Sequence, residues 1–174
     1  MKEAYEALAK NPANYVPLTP ISFLQRTAEI YGEREAIIYG TRRYSWRQCY
    51  ERCLRMASSL TELGIGKGDT VAVLAFNTPE MFEAHFFVPM TGAVLNTINT
   101  RLDAETLAYI LDFGEAKVLI VDRELLPLAQ KALQQTKQKP LLILIDDETA
   151  LQKPGSVTVA TMPPQHLRDL HGRG

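Results

Sequence analysis

Residues 63–77, Leu63-Gly64-Ile65-Gly66-Lys67-Gly68-Asp69-Thr70-Val71-Ala72-Val73-Leu74-Ala75-Phe76-Asn77, decide the fold. From Thr70 to Phe76 the run is apolar at odd and even positions alike, so both faces of the strand it predicts must be buried. A sheet covered by helices on both sides meets that demand, and such sheets are mainly parallel. Upstream, Ser45 and Gln48 have capping-box spacing, and Tyr50, Cys53, Leu54, Ala57, Leu60 and Leu63 recur at helical intervals up to Gly64. The glycine-rich turn therefore ends a helix and leads into the strand. Downstream, Asn77 is placed to cap a helix running through Pro79, Glu80, Phe82 and Phe86.

The same alternation extends outward. Thr19 can cap, and Pro20 open, a helix with Phe23, Leu24, Thr27, Ala28 and Tyr31 on one face and Gly32 at its end. Residues 36–39 and 43–45 flank Gly40-Thr41-Arg42 as a small hairpin. Beyond the central strand, the pattern predicts strands at 92–97, 117–121 and 141–145 and helices at 104–113, closed by Gly114, and at 124–135. Strands alternating with helices of about ten residues give an α/β fold class, a mainly parallel sheet with crossover helices. Residues 1–19, with Pro12 and Pro17, read as a lead-in segment, 20–145 as the α/β unit, and 146–174 as an irregular, loose tail punctuated by Pro154, Gly155, Pro163, Pro164, Gly172 and Gly174.

The chain has 174 residues, 46% of them hydrophobic, which is room for one ordinary domain with a real core. Nineteen basic residues against twenty acidic ones, with no basic run, exclude the footprint of a nucleic-acid binder. The most apolar runs, 71–76, 86–90 and 141–145, fall far short of the roughly 20 residues that cross a bilayer. Met1-Lys2-Glu3-Ala4-Tyr5-Glu6 places acids where a secretory signal needs a basic start. Two cysteines cannot form a disulfide framework, so a soluble protein in a reducing, cytoplasmic setting is expected.

Several residues invite a chemical role. Gly64, Gly66 and Gly68 suggest a dinucleotide loop, but they follow a helix and precede a strand, the reverse of that fingerprint. A turn leaving a helix presents carbonyls, which repel a pyrophosphate, so a C-cap and turn is the better assignment. Asn77-Thr78-Pro79-Glu80 has the correct polarity for a ligand, at the carboxyl end of a strand, yet lacks glycines and reads first as a helix cap. Cys49 and Cys53 are expected as buried small apolar groups, since no histidine lies near enough in sequence to complete a zinc set. His85 could serve as a general base if partners surround it, whereas His166 and His171 fall in the tail. Tyr44, Trp46 and Tyr50 read as packing at a helix entry. No Walker loop, nucleophile elbow, zincin motif or Ser/Thr/Gly-rich loop ending in lysine occurs.

The run 63–73, then Asn77, then Gly92-Ala93-Val94-Leu95-Asn96-Thr97-Ile98-Asn99-Thr100-Arg101-Leu102, Glu105 and Ala116-Lys117-Val118-Leu119-Ile120 resembles the N-terminal part of the AMP-forming acyl-CoA synthetases. The likeness runs over about residues 14–145 and is expected to fade at Val159. Thr100 replaces a proline common in the family, and Asn-Thr-Arg-Leu is similar to the branch handling medium-chain or short fatty and related carboxylic acids. The resemblance implies a two-step reaction in the intact family, using ATP, Mg²⁺ and CoA. A carboxylate attacks the α-phosphate of ATP and releases pyrophosphate, and the CoA thiol then displaces AMP.

In the family the phosphate loop, acyl pocket, hinge and adenylation lysine follow beyond the point reached at Ile145. The expectation is thus an incomplete N-terminal part of the large domain, truncated by a frameshift or an early stop. Because losing one donor to developing charge typically costs about 2.7 to 4 kcal/mol, losing the whole set implies inactivity alone. No catalytic, cofactor-binding or metal-binding residue is assigned, and no cofactor is expected for the chain by itself. Two alternatives are a stand-alone module that self-associates or pairs with a partner through a sheet edge left open by the missing strands, and one half of a split ligase.

Overall fold

The computed structural model describes residues 17–146 and the pair 160–161. Helix α1 (Pro20–Tyr31) leads to an antiparallel hairpin of β1 (Glu35–Tyr39) and β2 (Arg42–Ser45), and then to α2 (Trp46–Glu62). The sequence next alternates β3 (Thr70–Leu74), α3 (Pro79–Met90), β4 (Val94–Thr97), α4 (Ala104–Phe113), β5 (Ala116–Asp122), α5 (Leu126–Leu133) and β6 (Leu141–Ile145). A two-residue strand β7 (Ala160–Thr161) completes a five-stranded sheet in the order β4-β3-β5-β6-β7. The first four strands are parallel, and β7 runs antiparallel to β6.

Strand periodicity sorts the core into two layers. Val71, Val73, Val118, Ile120, Ile143 and Ile145 face α1–α3, meeting Leu24, Cys49, Cys53, Leu60, Phe87 and Val88. Ala72, Leu74, Leu119, Val121, Leu142 and Leu144 face α4 and α5, meeting Leu107, Leu111, Ala129 and Ala132. Alternate residues of a strand point to opposite faces, so the two-sided apolar run at β3 is satisfied only because helices lie on both sides.

Local chemistry sets the element ends. Thr19 Oγ1 accepts from Ser22 N at 3.1 Å and Ser22 Oγ accepts from Thr19 N at 3.0 Å, a full capping box on α1. Ser45 and Gln48 repeat it on α2, with Gln48 Oε1 accepting from Ser45 N at 2.9 Å. At the other end of α2, Gly64 N–H donates to Thr61 O and Ile65 N–H to Leu60 O, which is the Schellman pattern. Gly64 has φ +79° there, a left-handed conformation that a side chain would strain. Gly92 has φ +82° and lies so close to Lys67 that an added Cβ would stand 3.3 Å from its Cα.

Five expectations need correction. The exposed face of α1 carries Phe23 and Tyr31, and only Leu24 and Ala28 are buried, because the helix packs along a narrow seam. On α2, Leu54 and Leu63 are likewise exposed. The cap of α3 is Thr78 and not Asn77: Thr78 is extended, its Oγ1 accepts from Met81 N at 3.4 Å, and Pro79 takes the first helical position. The helix expected over 124–135 begins instead as a 3₁₀ turn (Arg123–Leu125), closed by Asp122 accepting from Glu124 N at 3.0 Å. In the hairpin, Arg42 belongs to the second strand opposite Tyr39. Of the lead-in and tail segments, residues 1–16, 147–159 and 162–174 lie outside the described residues.

Asp112 fastens α4 to the chain entering β6. Its Oδ1 accepts from the Thr136 hydroxyl, from Lys137 N at 2.9 Å and from Gln138 N at 3.0 Å. The Thr136 hydrogen bond, followed by the backbone donors, holds the carboxyl below its ordinary value. A depressed carboxyl stabilises the fold above the unfolded-state value of about 3.9 and loses that contribution as pH falls through the lower folded-state value. Acid unfolding followed by circular dichroism is therefore expected to be shallower at its acid end in Asp112→Asn than in the parent, with a lower thermal midpoint at neutral pH.

Candidate functional site

The chain after β3 turns into α3 on one face of the sheet, whereas the chain after β4 turns into α4 on the other. Adjacent parallel strands whose connections leave to opposite faces open a crevice at their carboxyl ends, where ligands of open α/β sheets bind. That crevice is present and has a volume of about 460 Å³. Ala75 and Asn77 border it from the end of β3, Met81 and His85 from α3, and Thr97, Ile98, Asn99 and Thr100 from the end of β4.

Two sequence candidates, Asn77 and His85, are thus brought together. With the capping role taken by Thr78, the exposed Asn77 is left to border the crevice. The Nδ1–H of His85 donates to the Met81 carbonyl at 2.9 Å, leaving Nε2 for other chemistry. No serine or aspartate bonds to His85 among the described residues, so no nucleophile–base pair forms around it. Threonine hydroxyls and asparagine amides suit a neutral polar group. Lacking lysine, arginine or a glycine-lined backbone, the crevice is no phosphate cradle. Sequence reasoning identified the β3 side but missed Thr97, Asn99 and Thr100, whose proximity depends on the pairing of β4 with β3.

The first turns of α3 are held from behind by an ion network. Arg52 reaches Glu83 with two hydrogen bonds, Nε–Oε1 at 2.5 Å and Nη2–Oε2 at 2.9 Å, and also stands 3.6 Å from Glu80. Arg42 pairs with Glu80 and donates from Nε to the Tyr44 hydroxyl at 3.1 Å. The Tyr44 ring stacks on Arg52, 4.5 Å from the guanidinium carbon to the centroid. Burial pushes the Glu83 carboxyl up, opposed by Arg52, and on the half-buried Arg52 the lowering by burial is outweighed by the Glu83 hydrogen bonds and charge, which raise it. Tyr44 was expected only to pack at the helix entry, and no local signal in the sequence marks its role over the arginines.

Other candidates resolve as structural. Cys49 and Cys53 are fully buried, and the Cys53 thiol is pushed up by its hydrogen bond with Cys49 and by burial, which suppresses the thiolate. Gly64, Gly66 and Gly68 form the expected cap and turn, with Asp69 accepting from Gly66 N at 3.0 Å and pairing with Lys117 at 2.6 Å. Trp46 and Tyr50 pack against the core as expected. His166 and His171 lie outside the described residues. Among the described residues no three His, Cys, Asp or Glu side chains converge, so the Mg²⁺ implied by the resemblance finds no ligand set here and no step is routed through it.

Removing Glu83 would leave Arg52 short of its main partner, an imbalance that costs about 3–5 kcal/mol. Glu83→Ala is expected to show that loss in urea unfolding, and the apolar double replacement Arg52→Met with Glu83→Leu is expected to recover most of it.

The profile of the AMP-binding enzyme family matches residues 24–169, ten residues past Val159, where the likeness was expected to end. A peroxisomal butyrate–CoA ligase of Arabidopsis thaliana is 52% identical over 149 residues, covering 83% of this chain and 26% of that protein. A peroxisomal trans-cinnamate:CoA ligase of Petunia hybrida is 52% identical over 155 residues, covering 82% and 27%. Among solved structures, a fatty acyl CoA synthetase of Mycobacterium tuberculosis superposes with a TM-score of 0.66 at 27% identity, covering 80% of this chain and 29% of that one. An anthranilate CoA ligase bound to anthranoyl-AMP gives a TM-score of 0.73 at 24% identity, covering 84% and 28%, and supports the fold. The chain spans about a quarter of the length of the curated relatives it matches. With a family profile over most of its length and relatives above half identity, the chain belongs to the AMP-binding enzyme family and is similar to its acyl-CoA ligases.

Proposed function

We propose that these residues form the scaffold around the first parallel strands of an acyl-CoA ligase large domain and do not complete the reaction alone. The observation that supports this most is the family match over a sheet whose carboxyl-end crevice carries no cation for a triphosphate. In the intact reaction a carboxylate oxygen bonds to the α-phosphorus of ATP as pyrophosphate leaves, and the thiol sulfur of CoA then bonds to the acyl carbon as AMP leaves. Both steps spread negative charge that preorganised donors must meet. Relatives named for butyrate and trans-cinnamate favour short or aromatic carboxylic acids as substrates of the complete enzyme. A reducing intracellular compartment suits two free buried cysteines; the cytoplasm is our first assignment, and the peroxisome named for both relatives is the alternative.

The purified chain given ATP, Mg²⁺, CoA and butyrate, trans-cinnamate or benzoate is expected to release no pyrophosphate and form no thioester above background, as read by coupled pyrophosphate assay and mass spectrometry. Turnover would refute the scaffold assignment.

A specific observation favours a second role, self-association. The edge on the β6 side is partly covered by β7, which pairs at Ile143 and Leu144. Among the described residues the open edge is β4, paired only with β3, and its Val94 is 55% exposed. An uncharged, proline-free edge invites pairing. Analytical ultracentrifugation is expected to detect a concentration-dependent dimer that Val94→Lys abolishes. A monomer at all concentrations removes this second role.

A further inference from the structure

On the side of α3 away from the crevice, a second cleft of about 210 Å³ opens between α2, α3 and the β5–β6 edge of the sheet. Met56, Phe87, Ile120, Ile143 and Ile145 give it apolar walls, and Arg52, Arg55, Glu80 and Glu83 also border it. The charges sort cleanly. Arg42 and Arg52 offset Glu80 and Glu83 through the network described above, leaving Arg55 as one positive charge in excess. Arg55 itself makes no hydrogen bond or ion pair among the described residues. A guanidinium is matched by a planar carboxylate, with two parallel N–H donors meeting two oxygens.

We propose that this cleft binds a small apolar monocarboxylate, its carboxylate on Arg55 and its hydrocarbon body against Met56, Ile143 and Ile145. Size and charge select that class. The volume holds a short aliphatic chain or a single ring, and apolar walls gain by excluding water from either. A phosphate ester is disfavoured, since its second charge would face Glu80 and Glu83 with no further cation free. A cation is disfavoured because both glutamates are already paired. The site lies outside the crevice, and its occupation does not depend on the ligase reaction, so failure of either assignment leaves the other intact.

The test uses the full chain labelled at methionine and isoleucine methyls, titrated with sodium hexanoate, sodium benzoate and uncharged hexanamide at constant ionic strength. Hexanoate and benzoate are expected to give saturable shifts at Met56, Ile143 and Ile145, with hexanamide producing none. Arg55→Gln is expected to weaken binding about tenfold without moving the thermal midpoint, because Arg55 holds no partner in the fold. Arg55→Lys, which keeps the charge, should retain most of the affinity. The proposal is overturned by any of four results: no saturable shift at these methyls, equal response to hexanamide, equal affinity in Arg55→Gln, or shifts confined to Met81 at the crevice. Dimerisation that protects the same methyls in the absence of carboxylate would also overturn it, by assigning the cleft to a second copy of the chain.

Discussion

Everything in this fold depends on β3 being apolar on both sides. Val71 and Val73 require one helical layer, and Ala72 and Leu74 require another, so the chain must place helices above and below the sheet. It does so by sending α3 to one face and α4 to the other. The crevice at the carboxyl ends of β3 and β4 is the geometric residue of that reversal. A position for ligands thus arises from a demand for burial, before any catalytic side chain is considered.

The ion network serves the same reversal. Removing water from Glu83 and Arg52 carries a penalty that their mutual attraction barely repays, so the pair contributes more to placement than to net stability. Linking the hairpin through Arg42 and Tyr44 to the first turns of α3 fixes where Asn77, Met81 and His85 stand. Arg55, on the same helix as Arg52, remains outside this balance. One helix therefore separates two concavities of different chemistry: a neutral polar crevice, and an apolar cleft with one spare positive charge.

Much of the architecture was legible in the sequence because its signals act over three or four residues. Thr19 and Ser45 as caps, Gly64 as a helix stop, and the strands at 70–74, two residues shorter than expected, and 141–145 all follow from local hydrogen bonding and side-chain period. The misassignments share a cause. Asn77 and Thr78 are both good caps, and only the direction in which the chain leaves β3 gives the role to Thr78. Phe23, Tyr31 and Leu54 fit a helical stripe, but the seam between packed helices is narrower than the stripe. Which strand carries the open edge was not legible in the sequence, because pairing of Ala160–Thr161 with β6 depends on a return of the chain that no local pattern encodes.

By itself the sequence determined the class of fold, the order of its elements, several of their caps, and the family, since caps, turns and apolar periods are properties of neighbouring residues. Only the tertiary structure decided the sites. Arg42 meets Glu80 across 38 positions and Arg52 meets Glu83 across 31, while Thr97 and Asn99 come to border the same crevice as His85 only through the pairing of β4 with β3. Contacts at such separations are set by which faces must be buried together. That requirement is met by the packed whole and is written in no single segment.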